Sequence, residues 1–568
     1  MEAGLELYRE NASVPSRDSH HRIDAVTESD SAGSQQNRAG ALRVGLWILL
    51  AATIAVTIFV RVRFIELPLE RDEGEYAYAG QLLLQGIAPY QLAYSMKFPG
   101  TSAAYAAVMS VFGQTTSGIH LGLLCINLAT AYGVFLLGRR LLGPTAGALA
   151  ACFYGVLSLS PWVAGLCAHA THFVMLAVLA GALLLLRPVV RIGHLVAAGL
   201  LFGMAILMKQ PGALFVPLGW GTIFLADRRA SLNWPRMIAR NLIFTASVTT
   251  PIAATFLILW RAGVLARFWS WTVDYSRSYG SMLSLSDGAH QLTERLPSVV
   301  GPVWMIWVLA IVGVLCVLTR AVRPNGPFLF GLLVCSAAAV CPGFYFREHY
   351  FILLLPAVAL LAAVGVTALV RSKTTNAIAG YVMLLLAATA LALPLWRDRA
   401  LLFNLPPAAI SQALYWPNPF AEAIRVSQFI RERTNAGDTI AVLGSEPEIY
   451  FYAQRHSATG YIYTYPLMEP YPRAPAMQRE MIDEIERAHP KYVVVIGVEA
   501  SWLRRPSSDP TIFNWTNEYC ANEFTLVGSV NLLSPERADF SLPATGPVDH
   551  PAQNYIFVYE RRAGDDQR

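Results

Sequence analysis

Long apolar runs separated by short polar segments make up the chain from residue 41 to about residue 395. The first run, Ala41 to Val60, is long enough to cross a bilayer, because a helix rises about 1.5 Å per residue and a hydrocarbon core is about 30 Å thick. A secretory signal has a shorter apolar segment, so this run is expected to remain as a span. Similar runs predict ten further spans, at 117–138, 144–161, 170–187, 193–208, 211–226, 240–261, 298–319, 325–343, 349–370 and 375–395. The pattern thus predicts a polytopic α-helical membrane protein with about eleven transmembrane helices, and thirteen as an upper bound.

One predicted boundary between two spans follows from the length of a single apolar run. The stretch from Leu195 to Ala226 is almost continuously apolar, but as one helix it would be about 48 Å long. The sequence Lys209-Gln210-Pro211-Gly212 is the polar, helix-breaking place within it. We therefore expect the chain to reverse there.

Composition supports the same class of protein. The chain is 55% apolar and 14% charged, whereas a soluble domain has about 25% charged residues. Residues 1–40 are polar and poor in large apolar side chains, so they are expected to be disordered. The seven cysteines show no CxxC zinc spacing and no disulfide framework.

Basic residues give the orientation. Alternate loops carry cationic pairs or clusters, at Arg139-Arg140, at Arg187 with Arg191, at Arg228-Arg229 with Arg236 and Arg240, at Arg320 with Arg323, and at Arg371 with Lys373. The positive-inside rule places these loops and the N-terminal tail in the cytoplasm. The chain should then lie in the cell inner (plasma) membrane as a multi-pass protein, with the loop 61–116 and everything after Leu395 on the outer side.

Three parts follow from this topology: a cytoplasmic tail (1–40), a membrane domain (41–395) and an extracytoplasmic domain (396–568). In the last part, helical and strand patterns alternate, at Phe420–Arg433, Thr439–Leu443, Glu446–Ala453, Met477–Ala488 and Tyr492–Ile496. This alternation is typical of an α/β layer. Gly444-Ser445-Glu446 follows a strand but lacks GxGxxG and P-loop spacing, so a turn and helix cap is expected there.

The outer loop holds the candidate chemistry. The sequence RDEGEYAY places Asp72, Glu73 and Glu75 close to a bilayer, where carboxylates are costly and usually functional. Two short helices, about Glu73–Gln85 and Thr101–Phe112, are expected to lie along the membrane surface. From its position alone, Asp72 is equally well explained as a helix N-cap.

Three cations, Lys97, Lys209 and Arg347, fall in outward loops, where the positive-inside bias does not place them. They are candidates for binding phosphate, although a lysine can also extend to the interface while its stem stays in apolar surroundings. The run Phe344 to Tyr350 is either the rim of a binding site or an interfacial aromatic belt with a local Arg347-Glu348 pair.

Other polar and aromatic groups have two explanations each. His169 and His172 are spaced to bind a metal, but a pair without a third ligand is more simply a polar turn. The tyrosines between Tyr461 and Tyr465 suit sugar stacking, a strand or an interface. The loop Arg261 to Pro297, with Trp269, Trp271, Tyr275 and Tyr279, is expected to lie over the outer mouth.

The segments DEGEYAYAGQLLLQG, KFPG, the Lys-Gln-Pro-Gly turn and FREHYFILLLP resemble the bacterial membrane glycosyltransferases of the GT-C fold. The relevant group contains the protein O-mannosyltransferases and the lipid A aminoarabinose transferase. The resemblance covers roughly residues 40 to 400 and is strongest at 72–100 and 344–356. It implies a polyprenyl-phosphate sugar donor and an acceptor on the outer face.

The resemblance also implies roles for residues. In the Asp72-Glu73 pair, Asp72 would be the catalytic base and Glu73 its partner, while Lys97 and Lys209 would lie near the donor phosphate. Arg347 would contact the phosphate too, supported by His349 or Tyr350.

The predicted protein is an inverting glycosyltransferase that moves a sugar from a polyprenyl-phosphate donor to a hydroxyl of a protein, lipid or polysaccharide. Its partners are then membrane lipids, donor and acceptor, with no nucleic acid. No cofactor and no metal site is demanded, because cationic side chains can neutralise one leaving phosphate, and a divalent metal is left open. A lipid-linked sugar flippase and a cell-envelope assembly protein are the alternatives.

Overall fold

The computed structural model describes residues 18–318, 325–371, 377–544 and 552–562. Of the predicted tail (1–40), residues 1–17 lie outside this part, and from Asp18 onward the backbone is helical where irregular structure was expected. The predicted basic positions Arg320, Arg323 and Lys373 also lie outside the described residues.

Helices account for most of the first 400 residues. They are α1 Asp18–Arg63, α2 Arg71–Leu84, α3 Gly100–Phe112, α4 Thr116–Leu142, α5 Pro144–Leu157, α6 Ala170–Leu185, α7 Ile192–Met208, α8 Val216–Arg229, α9 Trp234–Arg261, α10 Leu265–Trp269, α11 Ser276–Gly280, α12 Leu285–Val300, α13 Trp304–Leu318, α14 Gly326–Val340, α15 Leu355–Arg371 and α16 Ala377–Arg397. Shorter 3₁₀ and π turns join some of them, at Pro161–Val163, Gln210–Phe215, Ser270–Tyr275, Gly301–Val303, Pro342–Phe344, Glu348–Leu354 and Ala400–Asn404.

Every predicted span coincides with a helix in the described part of the chain. Six helical stretches are long and apolar enough to cross a membrane, at Gly40–Arg63, Thr116–Leu142, Trp234–Arg261, Leu285–Leu318, Glu348–Leu369 and Ile378–Arg397. Five other apolar helices are shorter, at Gly100–Phe112, Pro144–Leu157, Ala170–Leu185, Ile192–Met208 and Gly326–Val340. The protein is thus a multi-pass membrane protein, and the number of its spans stays a prediction.

The predicted reversal after α7 is present. Helix α7 ends at Met208, and a 3₁₀ turn over Gln210–Phe215 leads into α8. The amide of Gly212 donates to the carbonyl of Lys209, which closes the turn at the predicted residues.

Contacts between loops show which helix ends lie together. Arg140 donates to the carbonyl of Leu183, and Arg240 to that of Val190. Asn325 donates to the carbonyl of Leu141. The ends of α4 and α6 and the starts of α9 and α14 therefore meet on one side of the bundle, and the loops that carry the candidate chemistry meet on the other.

The centre of the bundle is α15, which packs closely against α13. A Cβ added at Gly313 would clash with the carbonyl of Leu361, and one added at Gly365 would clash with the carbonyl of Leu309. The two glycines allow the backbones to approach, as small residues do in membrane interiors.

After α16 the chain forms a separate α/β domain. Its helices are α17 Pro407–Tyr415, α18 Phe420–Glu432, α19 Glu448–Ala453, α20 Tyr465–Met468, α21 Ala474–Ala488, α22 Glu499–Trp502 and α23 Thr511–Glu523. Its strands are β1 Thr439–Leu443, β2 His456–Ser457, β3 Tyr492–Gly497, β4 Phe524–Ser534, β5 Arg537–Ser541 and β6 Asn554–Arg561. They form a sheet of order β2-β1-β3-β6-β4-β5, in which β1 pairs in parallel with β2 and β3, and β6 is antiparallel to β3 and β4.

The outer helix α2 lies between the membrane helices and this domain. Most of its side chains are buried, and its Gly74 packs so closely on Glu448 of α19 that a Cβ would not fit. Ser457 and Leu69 donate their amides to the hydroxyls of Tyr78 and Tyr452. Helix α2 is therefore covered by the α/β domain on one side, and its expected position along the membrane surface stays a prediction.

Candidate active site

The beginning of α2 carries Asp72. The N-cap is Glu70, whose carboxylate accepts from the amides of Asp72 at 3.0 Å and Glu73 at 2.9 Å. A carboxylate at this place satisfies amides that have no partner within the helix. Asp72 is thus not the cap, and its side chain is available for another role.

Asp72 belongs to a buried charge cluster with Lys97 and Glu75. Nζ of Lys97 lies 2.9 Å from Oδ1 of Asp72 and 2.6 Å from Oε2 of Glu75. Burial alone would raise the pKa of Asp72, but Lys97, then His349 and His169, together hold this pKa well below its ordinary value. Burial would lower the pKa of Lys97, but Asp72 and Glu75 raise it well above its ordinary value. Both groups are therefore charged at physiological pH.

Two turns bring Lys97 and Lys209 to the same place. Thr101, just after the KFPG turn, donates its hydroxyl to the carbonyl of Met208 at 2.7 Å, and Gln210 donates to the carbonyl of Met96 at 2.7 Å. The loop between α2 and α3 is thus hydrogen-bonded to the end of α7.

A cavity of about 210 Å³ opens at this junction. Its lining includes six of the seven predicted site residues, and Glu73 is the exception. The six are Asp72, Lys97, Lys209, Arg347, His349 and Tyr350. Residues from the α/β domain complete the wall, namely Tyr463, Tyr465, Pro466 and Glu469.

Glu73 points away from the cavity into the protein. Its Oε1 accepts from the amide of Ala168 at 2.5 Å and lies 3.1 Å from Nε2 of His120. The other ring nitrogen of His120 lies 3.0 Å from the carbonyl of Ile65. Glu73 thus links the start of α2 to α4 and to the segment that precedes α6, and a direct catalytic role for it does not fit its position.

Lys209 and Arg347 differ from Lys97 in having no carboxylate partner. Among the described residues, no ion pair or hydrogen bond to a carboxylate involves either cation, and both border the cavity. Nζ of Lys209 lies 4.2 Å from the ring centre of Tyr350, and the guanidinium of Arg347 lies 5.7 Å from that of Tyr345. Burial lowers the pKa of Lys209 to about 7; Asp72 opposes this shift, and Lys97 and Arg347 add to it. Arg347 therefore carries positive charge without a carboxylate partner, and Lys209, which is partly protonated near neutral pH, becomes fully charged when an anion binds beside it.

The local pair between Arg347 and Glu348, considered as one explanation of this rim, is wrong. Glu348 pairs with Arg295 of α12 and not with its neighbour Arg347. Arg347 is thereby left to face the cavity.

Two histidines stand next to Asp72. The rings of His169 and His349 are stacked, with centres 4.2 Å apart and an angle of 12° between their planes. Nδ1 of His169 and Nε2 of His349 lie 3.9 Å and 3.7 Å from Oδ2 of Asp72. One ligand atom from each of the three residues lies within 4.8 Å of the others. His172 is buried elsewhere and does not join them.

The far wall of the cavity is aromatic. Trp271, Tyr275 and Tyr279, from the predicted loop over the mouth, line the cavity together with Tyr463 from the α/β domain. The hydroxyl of Tyr463 donates to Oδ1 of Asp72 at 3.4 Å, so the wall reaches the charge cluster. The tyrosines between Tyr461 and Tyr465 form no strand, which excludes one of their explanations.

Three residues of this region were missed as site residues. Glu75 received no role from the sequence, but it is buried and bound to Lys97 and to Ser95 Oγ, the latter at 2.5 Å. Arg71 and Glu469 were not singled out. The DEGE spacing could have indicated Glu75, since positions 72 and 75 lie on one face of a helix, but the partners of Arg71 and Glu469 are distant in sequence and leave no local signal.

Part of the sequence matches the model of a known protein family. A model of the family described as dolichyl-phosphate-mannose-protein mannosyltransferase matches residues 97–260, which is well under half of the chain. The match includes Lys97 and Lys209 and ends before Arg347. No curated protein matches the chain.

Solved structures cover more of the chain. ArnT from Cupriavidus metallidurans, bound to undecaprenyl phosphate, has a TM-score of 0.53 at 15% identity, and the match covers 88% of this chain and 99% of that one. The oligosaccharyltransferase AglB from Archaeoglobus fulgidus, in complex with an inhibitory peptide and a dolichol-phosphate, has a TM-score of 0.50 at 11% identity and coverages of 89% and 75%.

These similarities confirm the predicted fold class. The chain has the GT-C fold of membrane glycosyltransferases, with a sheet-containing domain after the last membrane helix. At such low identity the likeness concerns the fold, and the chemistry of the cavity has to be inferred from this chain's own residues.

Proposed function

We propose that the protein is an inverting glycosyltransferase, which transfers a sugar from a polyprenyl-phosphate donor to an acceptor hydroxyl at the outer side of the membrane. The observation that carries this proposal is the pairing, in one cavity, of an ionised carboxylate with two cations that lack a carboxylate partner. Asp72 is that carboxylate, and Lys209 and Arg347 are the cations.

The cations suit the leaving group. When the bond between the sugar and the phosphate breaks, the polyprenyl phosphate gains a negative charge. Positive groups already held at the place where charge develops stabilise the transition state without having to reorganise. Lys97 was expected to bind phosphate as well, but it is bound to two carboxylates, so we assign the phosphate to Lys209 and Arg347.

Asp72 suits the proton transfer. The acceptor hydroxyl loses its proton to the Asp72 carboxylate while its oxygen attacks the anomeric carbon, and the bond from that carbon to the phosphate oxygen breaks. One displacement of this kind inverts the anomeric centre. The low pKa of Asp72 makes it a weak base, which is adequate if the hydroxyl becomes acidic as its oxygen bonds to the electron-poor carbon.

His349 and Tyr350 support these groups. His349 lies beside Asp72, and Tyr350 lies under Lys209. The aromatic ring attracts the ammonium and holds it towards the cavity.

The residues also fit a divalent cation. Asp72, His169 and His349 offer one oxygen and two nitrogen ligands close together, and Nδ1 of His169 is buried without a hydrogen-bond partner among the described residues. A bound cation would supply Lewis-acid stabilisation of negative charge. The proposed transfer does not require it, because Lys209 and Arg347 can neutralise the phosphate.

The orientation is also a proposal. Arginines of the described loops gather at the end of the bundle away from Asp72, and the positive-inside rule assigns that end to the cytoplasm. The cavity and the α/β domain would then lie on the outer side of the inner membrane, where a membrane-bound donor and a protein, lipid or polysaccharide acceptor can meet.

The test is the Asp72→Asn variant in the full-length protein, reconstituted with a labelled polyprenyl-phosphate sugar and membrane extract as acceptor. Transfer should fall by at least about 100-fold, as expected for loss of a general base, while membrane insertion and thermal stability are kept. The matched control is Asp483→Asn, because Asp483 is an exposed carboxylate in the α/β domain.

Wild-type transfer by Asp72→Asn would show that Asp72 is not the base. Movement of the donor between leaflets without sugar transfer would indicate a flippase instead. If the wild-type protein neither transfers nor moves the sugar, a role in envelope assembly is favoured.

A further inference from the structure

The aromatic wall of the cavity contains one carboxylate with no assigned role, Glu469. It lies at the end of α20 and borders the cavity together with Tyr275 and Tyr279. The hydroxyl of Tyr275 donates to Oε2 of Glu469 at 2.5 Å. In the described part of the chain, no hydrogen bond reaches its other oxygen, Oε1.

Glu469 is held by groups that do not neutralise it. Burial raises its pKa to about 7, and the Tyr275 hydroxyl, Arg505 and Arg347 act in the opposite direction. Neither arginine forms an ion pair with it among the described residues. A half-buried acceptor is therefore presented to the cavity, where hydroxyl groups of a ligand can donate to its free oxygen.

Aromatic rings next to Glu469 lead to Arg347, and another ring of the cavity contacts Asp72. Tyr279 stacks on Tyr345 at 4.6 Å, and the guanidinium of Arg347 lies over Tyr345. On the other side, Tyr463 lies within hydrogen-bond distance of Asp72. The aromatic groups that line the cavity therefore lie beside Arg347 at one place and beside Asp72 at another.

We propose that this wall is the binding site for the sugar unit of the donor. In it, Glu469 accepts hydrogen bonds from sugar hydroxyls and the neighbouring tyrosine rings cover the apolar face of the sugar, so that neutral sugars are preferred to acidic ones. This inference rests on the proposed function, because it takes the phosphate to be bound by Lys209 and Arg347.

The geometry favours the donor sugar over the acceptor. The sugar is joined covalently to the phosphate, so it must occupy the wall that begins at Arg347. A carboxylate accepts from hydroxyls with charge-assisted hydrogen bonds and repels the carboxylate of an acidic sugar. Aromatic rings supply apolar contact with little loss of conformational entropy.

The test measures binding to the purified full-length protein. The probes are short-chain polyprenyl phosphodiesters that carry mannose, glucose, galactose, arabinose, an amino sugar or glucuronic acid. The reference probe is the methyl ester of the same polyprenyl phosphate, which has the phosphate charge of the sugar diesters but no sugar. The gain in affinity over this ester isolates the contribution of the sugar.

We expect the best neutral sugar to bind at least about tenfold more tightly than the methyl ester, which corresponds to one or two good hydrogen bonds. Glu469→Gln should reduce that gain about tenfold and leave affinity for the methyl ester within about twofold. Tyr275→Phe should reduce the gain less, because the carboxylate remains. Glu518→Gln is the control, since Glu518 is exposed on α23 of the same domain.

Several results would overturn the assignment. It fails if no neutral sugar adds affinity, if Glu469→Gln weakens the methyl ester as much as the sugar diesters, or if the acidic sugar gives the largest gain. It also fails if Glu469→Gln changes only the KM for the acceptor, because the wall would then bind the acceptor.

Different binding results would contradict the proposed function. In that case the methyl ester itself would not bind, or its binding would be unaffected by Arg347→Gln. Binding of the ester that depends on Arg347, with no contribution from Glu469, would overturn this further inference alone.

Discussion

Lys97 and Lys209 are both buried lysines near Asp72, but their electrostatic surroundings are opposite. Lys97 is paired with two carboxylates, whereas Lys209 faces the cavity with an aromatic ring beneath it. The first lysine therefore sets the charge state of Asp72, and the second is available for an anion. Residue type alone would have given them the same role.

Replacement of Lys97 by Met should change the pH dependence of transfer. The pKa of Asp72 is held below its ordinary value chiefly by Lys97 against the effect of burial, so this pKa should rise when the ammonium is removed. Asp72 would then be protonated at a higher pH, and the acid limb of kcat/KM should move to higher pH than in the wild-type protein. The measurement is a pH-rate profile in the presence of EDTA.

Lys491→Met is the control for this profile, because Lys491 pairs with Asp438 in the α/β domain away from the cavity. An acid limb that stays in place in Lys97→Met would mean that Asp72 does not control the reaction. It would leave Glu75, the other carboxylate on Lys97, as the group to examine.

At the scale of elements, α2 shows what a local pattern can and cannot predict. Its existence and its first turn follow from the sequence, since Glu70, Asp72 and Glu73 are residues typical of a helix start. Its burial does not follow, because the surface that covers Gly74 comes from α19, more than 370 residues later in the chain. The sequence made Asp72 a possible N-cap, whereas Glu70 is the N-cap in the structure.

The membrane helices were easier to predict than the site. A span needs many consecutive apolar residues, and every predicted span coincides with a helix in the described residues. The strands β4, β5 and β6 were not predicted, although they extend the sheet beyond β3. The wall around Glu469 was missed because it is formed by segments far apart in sequence.

The contact between α13 and α15 gives a prediction at this scale. Gly365→Ala should destabilise the protein by about 1–3 kcal/mol, because the added methyl group would be forced against the Leu309 carbonyl. The midpoint of thermal unfolding in detergent should fall accordingly.

Gly221→Ala in α8 is the matched control. A Cβ there meets no atom within 4 Å, and removal of a helical glycine stabilises by about 0.5–1 kcal/mol. Equal stability of the two variants would show that α13 and α15 are not in close contact.

For the whole molecule, Arg71 is the main link between the two domains. Its guanidinium donates to the carbonyl of Ser445 at 2.5 Å, to Tyr465 Oη at 2.6 Å, and to Asn418 Oδ1 and Glu446 Oε1 at 2.8 Å each. All four partners belong to the region after the last membrane helix. Since Arg71 precedes Asp72 in the chain, the position of the base depends on how the α/β domain is docked.

Arg71→Lys should therefore lower kcat by at least about tenfold while affinity for a polyprenyl phosphodiester changes by less than about twofold. A lysine keeps the charge but cannot reproduce the fork of hydrogen bonds. Amide hydrogen exchange should become faster in α2 and around Ser445, which would report looser docking.

Arg537→Lys serves as the control, because Arg537 forms an exposed ion pair with Asp539, and such pairs contribute little. If Arg71→Lys lowers affinity and kcat together and leaves exchange unchanged, Arg71 does not act by positioning α2.

The same junction limits how the protein can be recombined with its relatives. Besides Arg71, the amide of Tyr94 donates to the carbonyl of Gly460 at 2.7 Å, and Arg267 pairs with Glu480 at 2.5 Å. A transplanted α/β domain would have to supply partners for the side chains of Arg71 and Arg267 and a backbone carbonyl opposite Tyr94. A working chimera would have to carry the matching pieces of the outer loops with it, so the two domains are expected to have diversified together and not as exchangeable modules.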